Sequence, residues 1–258
     1  MAWLWGRTAT CINPTCGSQM VLVTSWWLSK KPGELAWLSP SVRQGRVELD
    51  VVSGQRSGGP VDPPKVGRGS SFQCIACSSL LTEAALMEQG QQGGIGYRLL
   101  AIASTVNGKR VYRSANAAEE LAALEIPVPD DLPEVAQSTD SRSFSGARYG
   151  FPNFTDLFMP RQLLVLCTFA DLVGELYSEL RDEGVSTVRA KAITSMLGLA
   201  VGQMALTGST QTRWRLRATA HSKAEGAFAR NDLRLTWDFA ETFFSSGSVG
   251  DWLDTCTS

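Results

Sequence analysis

Apolar positions in the first third of the chain recur with the period of strands. "MVLVTSWWLS" is a β-rich apolar run, and "GRVELDVV" alternates, with Val47, Leu49 and Val51 turned inward. The segment that follows, "SGQRSGGPVDPPKVGRGSS", is Gly/Pro/Ser-rich and reads as a loop. From Tyr97, "YRLLAIASTVNGKRVYRS" predicts a hairpin, because Asn107-Gly108 supplies the two positive-φ residues of a type I′ turn between apolar strands. "ANAAEELAAL" predicts a short helix capped by Ser114 or Asn116. Beyond a stretch bearing proline, acid and serine, the period changes. Leu163, Leu166, Phe169, Ala170, Val173, Leu176, Tyr177 and Leu180 recur every three or four residues, which predicts an amphipathic helix with Pro160 in its first turn and Gly184 at its end. "VSTVRAKAITSMLGLAVGQMALTG" predicts a second helix, capped by Ser186 and ending near Gly208.

Composition narrows the class. With 43% hydrophobic and 19% charged residues among 258, the chain reads as soluble and globular. A net charge of −1 excludes a globally basic nucleic-acid binder, so any such contact must come from a local patch. Arg7 interrupts the first apolar run before a secretory core develops. The best candidate span, Leu163 to Leu180, carries Asp171, Glu175 and Glu179, which argues against insertion in lipid. A cytoplasmic location is expected, where thiols stay reduced.

Four of the six cysteines then stand out. Cys11 and Cys16 form C-x4-C, and Cys74 and Cys77 form C-x2-C, whereas Cys167 and Cys256 stand alone. Each pair places two thiols on one tight turn, and two such turns complete a tetrahedron around Zn2+. Two disulfides, or unrelated buried thiols, are the other readings. Gly17 after the first pair suits a turn needing positive φ, while Ser78 fills the matching place less favourably. A site closed by four sulfurs has no open position, so this zinc is expected to be structural. The fold class expected is α+β: a zinc ribbon with a Gly/Pro-rich excursion over 1–95, a hairpin and short helix over 96–124, a linker over 125–150, and a mostly helical region over 151–258.

The remaining chemistry is sparse. "TRWRLRATAHSKAEGAFARNDLRLTW" is the one distinctly basic segment, with Arg213, Arg215, Arg217, Lys223, Arg230 and Arg234 against Glu225 and Asp232, interleaved with Trp214, Phe228 and Trp237. That mixture suits phosphate contact and base stacking; a solvated face with tryptophans anchored in the core is the alternative. His221 is the sole histidine, so no histidine-based hydrolase arrangement has support. "GQQGGIG" precedes a strand instead of linking strand to helix, the wrong order for a phosphate loop, and reads as a flexible connector. Asp62-Pro63-Pro64 is followed by Lys65, which offers no stacking face, and reads as a turn.

Taken in order, "AWLWGRT", "CINPTCGSQMVLVTSWWLSKK", "CIACSS", "RLLAIA", "GKRVY", "YGFPNFTDLFMPRQLLVLCTFADLV", "RLTWDFAE" and "GDWL" resemble the zinc-ribbon-containing adenine-specific DNA methylases of bacteria and archaea. The resemblance spans nearly the whole chain, and "DLFMPRQLL" and "WDFAE" are its most specific parts. It implies N6-adenine methylation with S-adenosylmethionine, in a restriction-modification or phage-defence setting. Family members carry a glycine-rich cofactor motif before the ribbon and a D-P-P-Y tetrapeptide after the equivalent of "WDFAE"; this chain carries neither. The resemblance therefore implies a segment that is not catalytic alone. It would contact DNA through Arg213, Trp214, Arg217, Lys223 and Arg230 and partner complementary methyltransferase chains, with S-adenosylmethionine bound only in a complete enzyme or with such a partner. An autonomous, divergent S-adenosylmethionine-dependent methyltransferase, or a non-functional truncated remnant, are the alternatives. The apolar "AWLW", read as exposed, suits the remnant or a partner interface.

Overall fold

The computed structural model describes residues 1–55, 58–140, 142–227 and 232–242, together with Trp252 and Cys256. It is an α+β structure whose helices lie mostly in the C-terminal half. The strands, in chain order, are β1 (Ala2–Thr10), β2 (Gln19–Leu22), β3 (Trp27–Ser29), β4 (Leu35–Arg43), β5 (Arg46–Gln55), β6 (Lys65–Val66), β7 (Ser71–Gln73) and β8 (Leu80–Leu81), then β9 (Gly96–Val106), β10 (Lys109–Ser114), β11 (Arg213–Arg215), β12 (Lys223–Glu225) and β13 (Asp238–Thr242). The helices are α1 (Glu83–Gln91), α2 (Ala117–Leu124), α3 (Pro160–Asp182) and α4 (Thr187–Thr207).

The N-terminal run "AWLWGRTAT" is the middle of the principal sheet. One edge of β1 pairs with β9; the other is shared end to end, β13 taking Ala2 to Gly6 and β2 taking Arg7 to Thr10. Strand β10 completes the sheet beside β9, and every pairing is antiparallel. This overturns the reading of "AWLW" as exposed: Leu4 and Trp5 are 4% and 1% accessible, because a strand covered on both faces reads as a continuous apolar run.

A second sheet, β3-β4-β5, packs its apolar face on the first, with Trp26, Leu28 and Leu38 meeting Val21, Val23 and Leu100. Leu49 and Val51 join this core, as their alternation predicts, and Val51 N donates to Ser114 Oγ at 2.9 Å to tie the second sheet to β10. The hairpin turn falls at Asn107 and Gly108, with φ of 50° and 74°. Asn116, not Ser114, caps α2: its side chain accepts from Glu119 N, and the Glu119 carboxylate accepts from Asn116 N in return.

Two glycines allow a contact the sequence does not announce. The carbonyl of Tyr149 sits where a Cβ on Gly90 would be 2.3 Å away, and Gly150, at φ +84°, stands against the Gly90 carbonyl. The "GQQGGIG" segment, read as a flexible connector, thus begins inside the last turn of α1 as a packed contact.

Helices α3 and α4 run antiparallel around Gly184, which adopts φ +84°, and Ser186 caps α4 by accepting from Arg189 N. Apart from Ala190, the buried residues of the pair lie at its base, Met159, Gln162 and Leu163 on one side and Ala200, Val201 and Met204 on the other. At this base the Arg161 guanidinium pairs with the Glu241 carboxylate, with side chains 14% and 10% accessible. Arg161 Nε donates to Glu241 Oε1 at 2.9 Å, Nη1 donates to the Ala123 carbonyl at 3.1 Å, and Trp5 Nε1 donates to Glu241 Oε2 at 3.1 Å. The pair fastens α3 and α2 to β1 and β13. Removing one partner of a buried ion pair strands the other's charge, so Arg161→Met is expected to destabilise the fold by about 3 kcal/mol in urea unfolding. Arg161→Met combined with Glu241→Leu is expected to restore more than half of that loss.

Candidate metal centre

The two cysteine pairs sit at the tips of two hairpins. Strand β1 delivers Cys11, the chain turns through Cys16, and β2 returns; β7 delivers Cys74, the chain turns through Cys77, and β8 returns. The two turns are built alike although their spacings differ. Cys11 N donates to the Ser18 carbonyl at 2.9 Å, and Cys74 N donates to the Ser79 carbonyl at 2.8 Å. The residue after each second cysteine has positive φ, 53° at Gly17 and 63° at Ser78, so the serine adopts what glycine adopts freely. The next residue is serine in both turns. Ser18 Oγ lies 3.2 Å from Cys16 Sγ and 3.3 Å from Cys74 Sγ, and Ser79 Oγ lies 3.2 Å from Cys77 Sγ.

All four sulfurs lie within 4.8 Å of one another, with Cys11 and Cys77 at 3.5 Å and Cys16 and Cys74 at 3.9 Å. All four are free thiols, so the disulfide reading is set aside. A tetrahedral ion with thiolate bonds of about 2.3 Å has sulfur–sulfur edges of about 3.8 Å, which falls inside this range. The four residues can therefore hold one metal ion. Burial pushes the Cys11 thiol up to about 12, whereas hydrogen bonds with the Ser79 hydroxyl and backbone hold Cys77 down at about 6. Cys77 thus favours the thiolate, whereas Cys11 resists ionising without a cation beside it.

The surroundings make this centre a junction of elements. Cys11 and Cys74 are buried in a cluster with Phe72, Leu81, Leu86, Tyr149 and Trp237. Phe72 and Tyr149 meet the Trp237 ring edge-on at centroid distances of 5.4 and 5.1 Å. Helix α1 clips the first hairpin through Gln89, whose side chain accepts from Thr10 N at 3.0 Å and donates to Thr10 O at 2.9 Å. Ser18, Ser79 and Gln89 were not singled out from sequence. The repeated C-[G/S]-S that follows both pairs is the signal that marks the two serines.

The basic residues lie elsewhere. Strands β11 and β12 form a two-stranded ribbon in which Arg213 faces Glu225, Trp214 faces Ala224, and Arg215 faces Lys223. Trp214 and Ala224 pack on the core between the two large sheets; Trp214 Nε1 donates to the Leu28 carbonyl at 2.8 Å, and its ring meets Tyr112 edge-on. Arg213, Arg215, Arg217 and Lys223 are exposed, and Arg215 pairs with Glu225. Arg230 and Phe228 lie outside the described residues. Beside the ribbon is a polar cavity of about 210 Å³ bordered by Arg213, Arg215, Arg234 and Gln211, with Glu225 and Asp232. Gln211 is 4% accessible; its Oε1 accepts from Thr236, and its Nε2 meets no acceptor. His221 Nδ1 lies 2.8 Å from Glu34 Oε2, and Asp62, in the loop before β6, accepts from Trp26 Nε1 through its carbonyl.

Compared with known protein families, curated proteins and solved structures, the chain matches none. Among the described residues no helix is long and apolar enough to cross a membrane.

Cys74→Ser is expected to abolish stoichiometric metal binding measured by elemental analysis, and to raise amide exchange in β6 to β8 and α1. Ser18→Ala keeps all four sulfurs and is expected to weaken metal affinity about tenfold in a chelator competition, as loss of an outer-shell hydrogen bond does.

Proposed function

We propose that this chain is a zinc-stapled, DNA-contacting segment of an adenine-specific (N6) DNA methyltransferase, acting with complementary chains that carry the catalytic motifs. Four thiolates in a closed tetrahedral arrangement favour Zn2+, and with no position left for substrate the ion's role is structural. The reduced state of the thiols suits a cytoplasmic setting.

The observation that carries the DNA reading is the outer face of the β11–β12 ribbon. Arg215 and Lys223 stand directly opposite each other, with Arg213 and Arg217 alongside and Glu225, paired with Arg215, as the one carboxylate across the ladder. Like charges in cross-strand register repel. An anion laid along the ribbon relieves that repulsion, and a phosphodiester backbone supplies a row of them. The polar cavity beside the ribbon includes an amide, Gln211, whose Nε2 is buried without an acceptor. With the Trp214 indole committed to Leu28 and Tyr112, contact is through phosphates and not through base stacking. The likeness of "DLFMPRQLL" and "WDFAE" to the adenine methylases supplies the enzyme class; methyl transfer and S-adenosylmethionine binding then belong to the assembled enzyme.

Fluorescence anisotropy with a labelled duplex tests the reading. Arg213→Ala with Arg217→Ala is expected to weaken binding and to reduce the slope of log K against log salt concentration by about 2. Equal affinity and slope in parent and variant would remove the ribbon from consideration. Titration with S-adenosylmethionine in a calorimeter is expected to give no heat; saturable heat would favour an autonomous enzyme instead.

A further inference from the structure

A second concavity shares no lining residue with the cysteine cluster or with the polar cavity beside the ribbon. It is a cleft of about 550 Å³ between the base of the α3–α4 pair, helix α2, and the ends of β1 and β13. Its size is that of a small-molecule site, which typically runs from about 300 to 1,000 Å³. The walls are apolar, contributed by Ala123 and Ile126 from α2 and just beyond it, Leu164 and Val165 from α3, and Met204 from α4.

The charged side chains at its boundary cancel. Arg161 pairs with Glu241 at the buried end, and Arg113 pairs with Glu119 through both carboxylate oxygens at 2.9 and 2.6 Å. A ligand of either charge would face a neutralised wall and would lose its hydration on entry. One polar group is left over. Gln162 lines the cleft and is 5% accessible; its Oε1 accepts from Met159 N at 2.8 Å in the cap of α3, and its Nε2 meets no acceptor. A buried amide donor without a partner is costly; Nε2 is closed off from solvent as it stands, and a tilt of the side chain that keeps Oε1 on the cap would bring it to a carbonyl or ring nitrogen in the cleft.

We propose that this cleft binds one uncharged, mostly apolar small molecule carrying a hydrogen-bond acceptor, which receives Nε2–H of Gln162. The proposal uses neither the metal nor the ribbon and stands apart from the DNA reading.

Nile red is a suitable probe, being uncharged, apolar and provided with a ring carbonyl. Titrated into the full metal-loaded chain, it is expected to bind saturably at one site per chain with blue-shifted emission. Leu164 is 43% exposed at the rim, so Leu164→Trp fills the cleft without disturbing the core and is expected to weaken binding at least tenfold. Ile126→Trp, from the opposite wall, is expected to do the same. Gln162→Glu keeps the oxygen that caps α3 and removes the amide donor; about fivefold weaker binding is expected. Met196→Glu and Leu199→Glu lie on the exposed side of α4, away from the cleft, and are expected to leave affinity within twofold. Non-saturating binding, parent-like affinity in both tryptophan variants, or loss of binding in Met196→Glu would overturn the site. Parent-like affinity in Gln162→Glu would overturn the hydrogen bond assigned to it.

Discussion

Strand β1 is hydrogen-bonded along both edges, and the rest of the molecule is arranged by that requirement. Its nine residues are partnered by β9 on one side and by β2 and β13 on the other, so segments from both ends and the middle of the chain must converge on it. Arg7, near its centre, shows how completely the strand is enclosed. The side chain is fully buried; it donates to the Thr236 carbonyl, the Tyr97 hydroxyl and Thr210 Oγ1, and its guanidinium lies 4.5 Å from the Phe151 ring centroid. A buried cation is costly unless acceptors and aromatic faces surround it, as these groups do. It therefore ties the "YGF" and "LTW" stretches to the N-terminal strand.

The metal centre extends the same logic. Because β1 runs directly into Cys11, the ion that the four sulfurs can hold joins the small β6-β7-β8 sheet to the principal sheet, and is not confined within one small module. The DNA-facing ribbon we propose is likewise fixed from behind, by Trp214 reaching into the core between the sheets. Under the proposed function the centre supplies rigidity and the ribbon supplies charge.

Much of this was legible in the sequence, for identifiable reasons. Asn107-Gly108 forms its turn because few other residue pairs tolerate two positive φ angles, and Pro160, Gly184 and Ser186 bound their helices through equally local rules. The cysteine pairs were found because spacing within a turn is a local property. What stayed hidden depends on contacts distant in sequence. The burial of "AWLW" follows from strand partners more than ninety residues away, Gly90 from the backbone at Tyr149, and the commitment of Trp214 from a carbonyl at Leu28. The Arg161–Glu241 pair bridges stretches whose meeting no periodicity forecasts. Ser18 and Ser79 were hidden for another reason: a serine beside a cysteine has no distinctive pattern until two such turns are seen to be built alike.

That likeness bears on how the chain tolerates change. Each turn has its own backbone clasp and its own serine, with Ser18 also reaching Cys74 of the other turn, so the length of the span between them sets no bond length at the sulfurs. Joining the turns closes a long loop, and loop entropy grows only logarithmically; inserting a dozen residues there adds a cost of about 0.2 kcal/mol. Added length around residues 58–61, ahead of the Asp62 carbonyl that holds Trp26 and of strand β6, therefore leaves the two fingers able to meet.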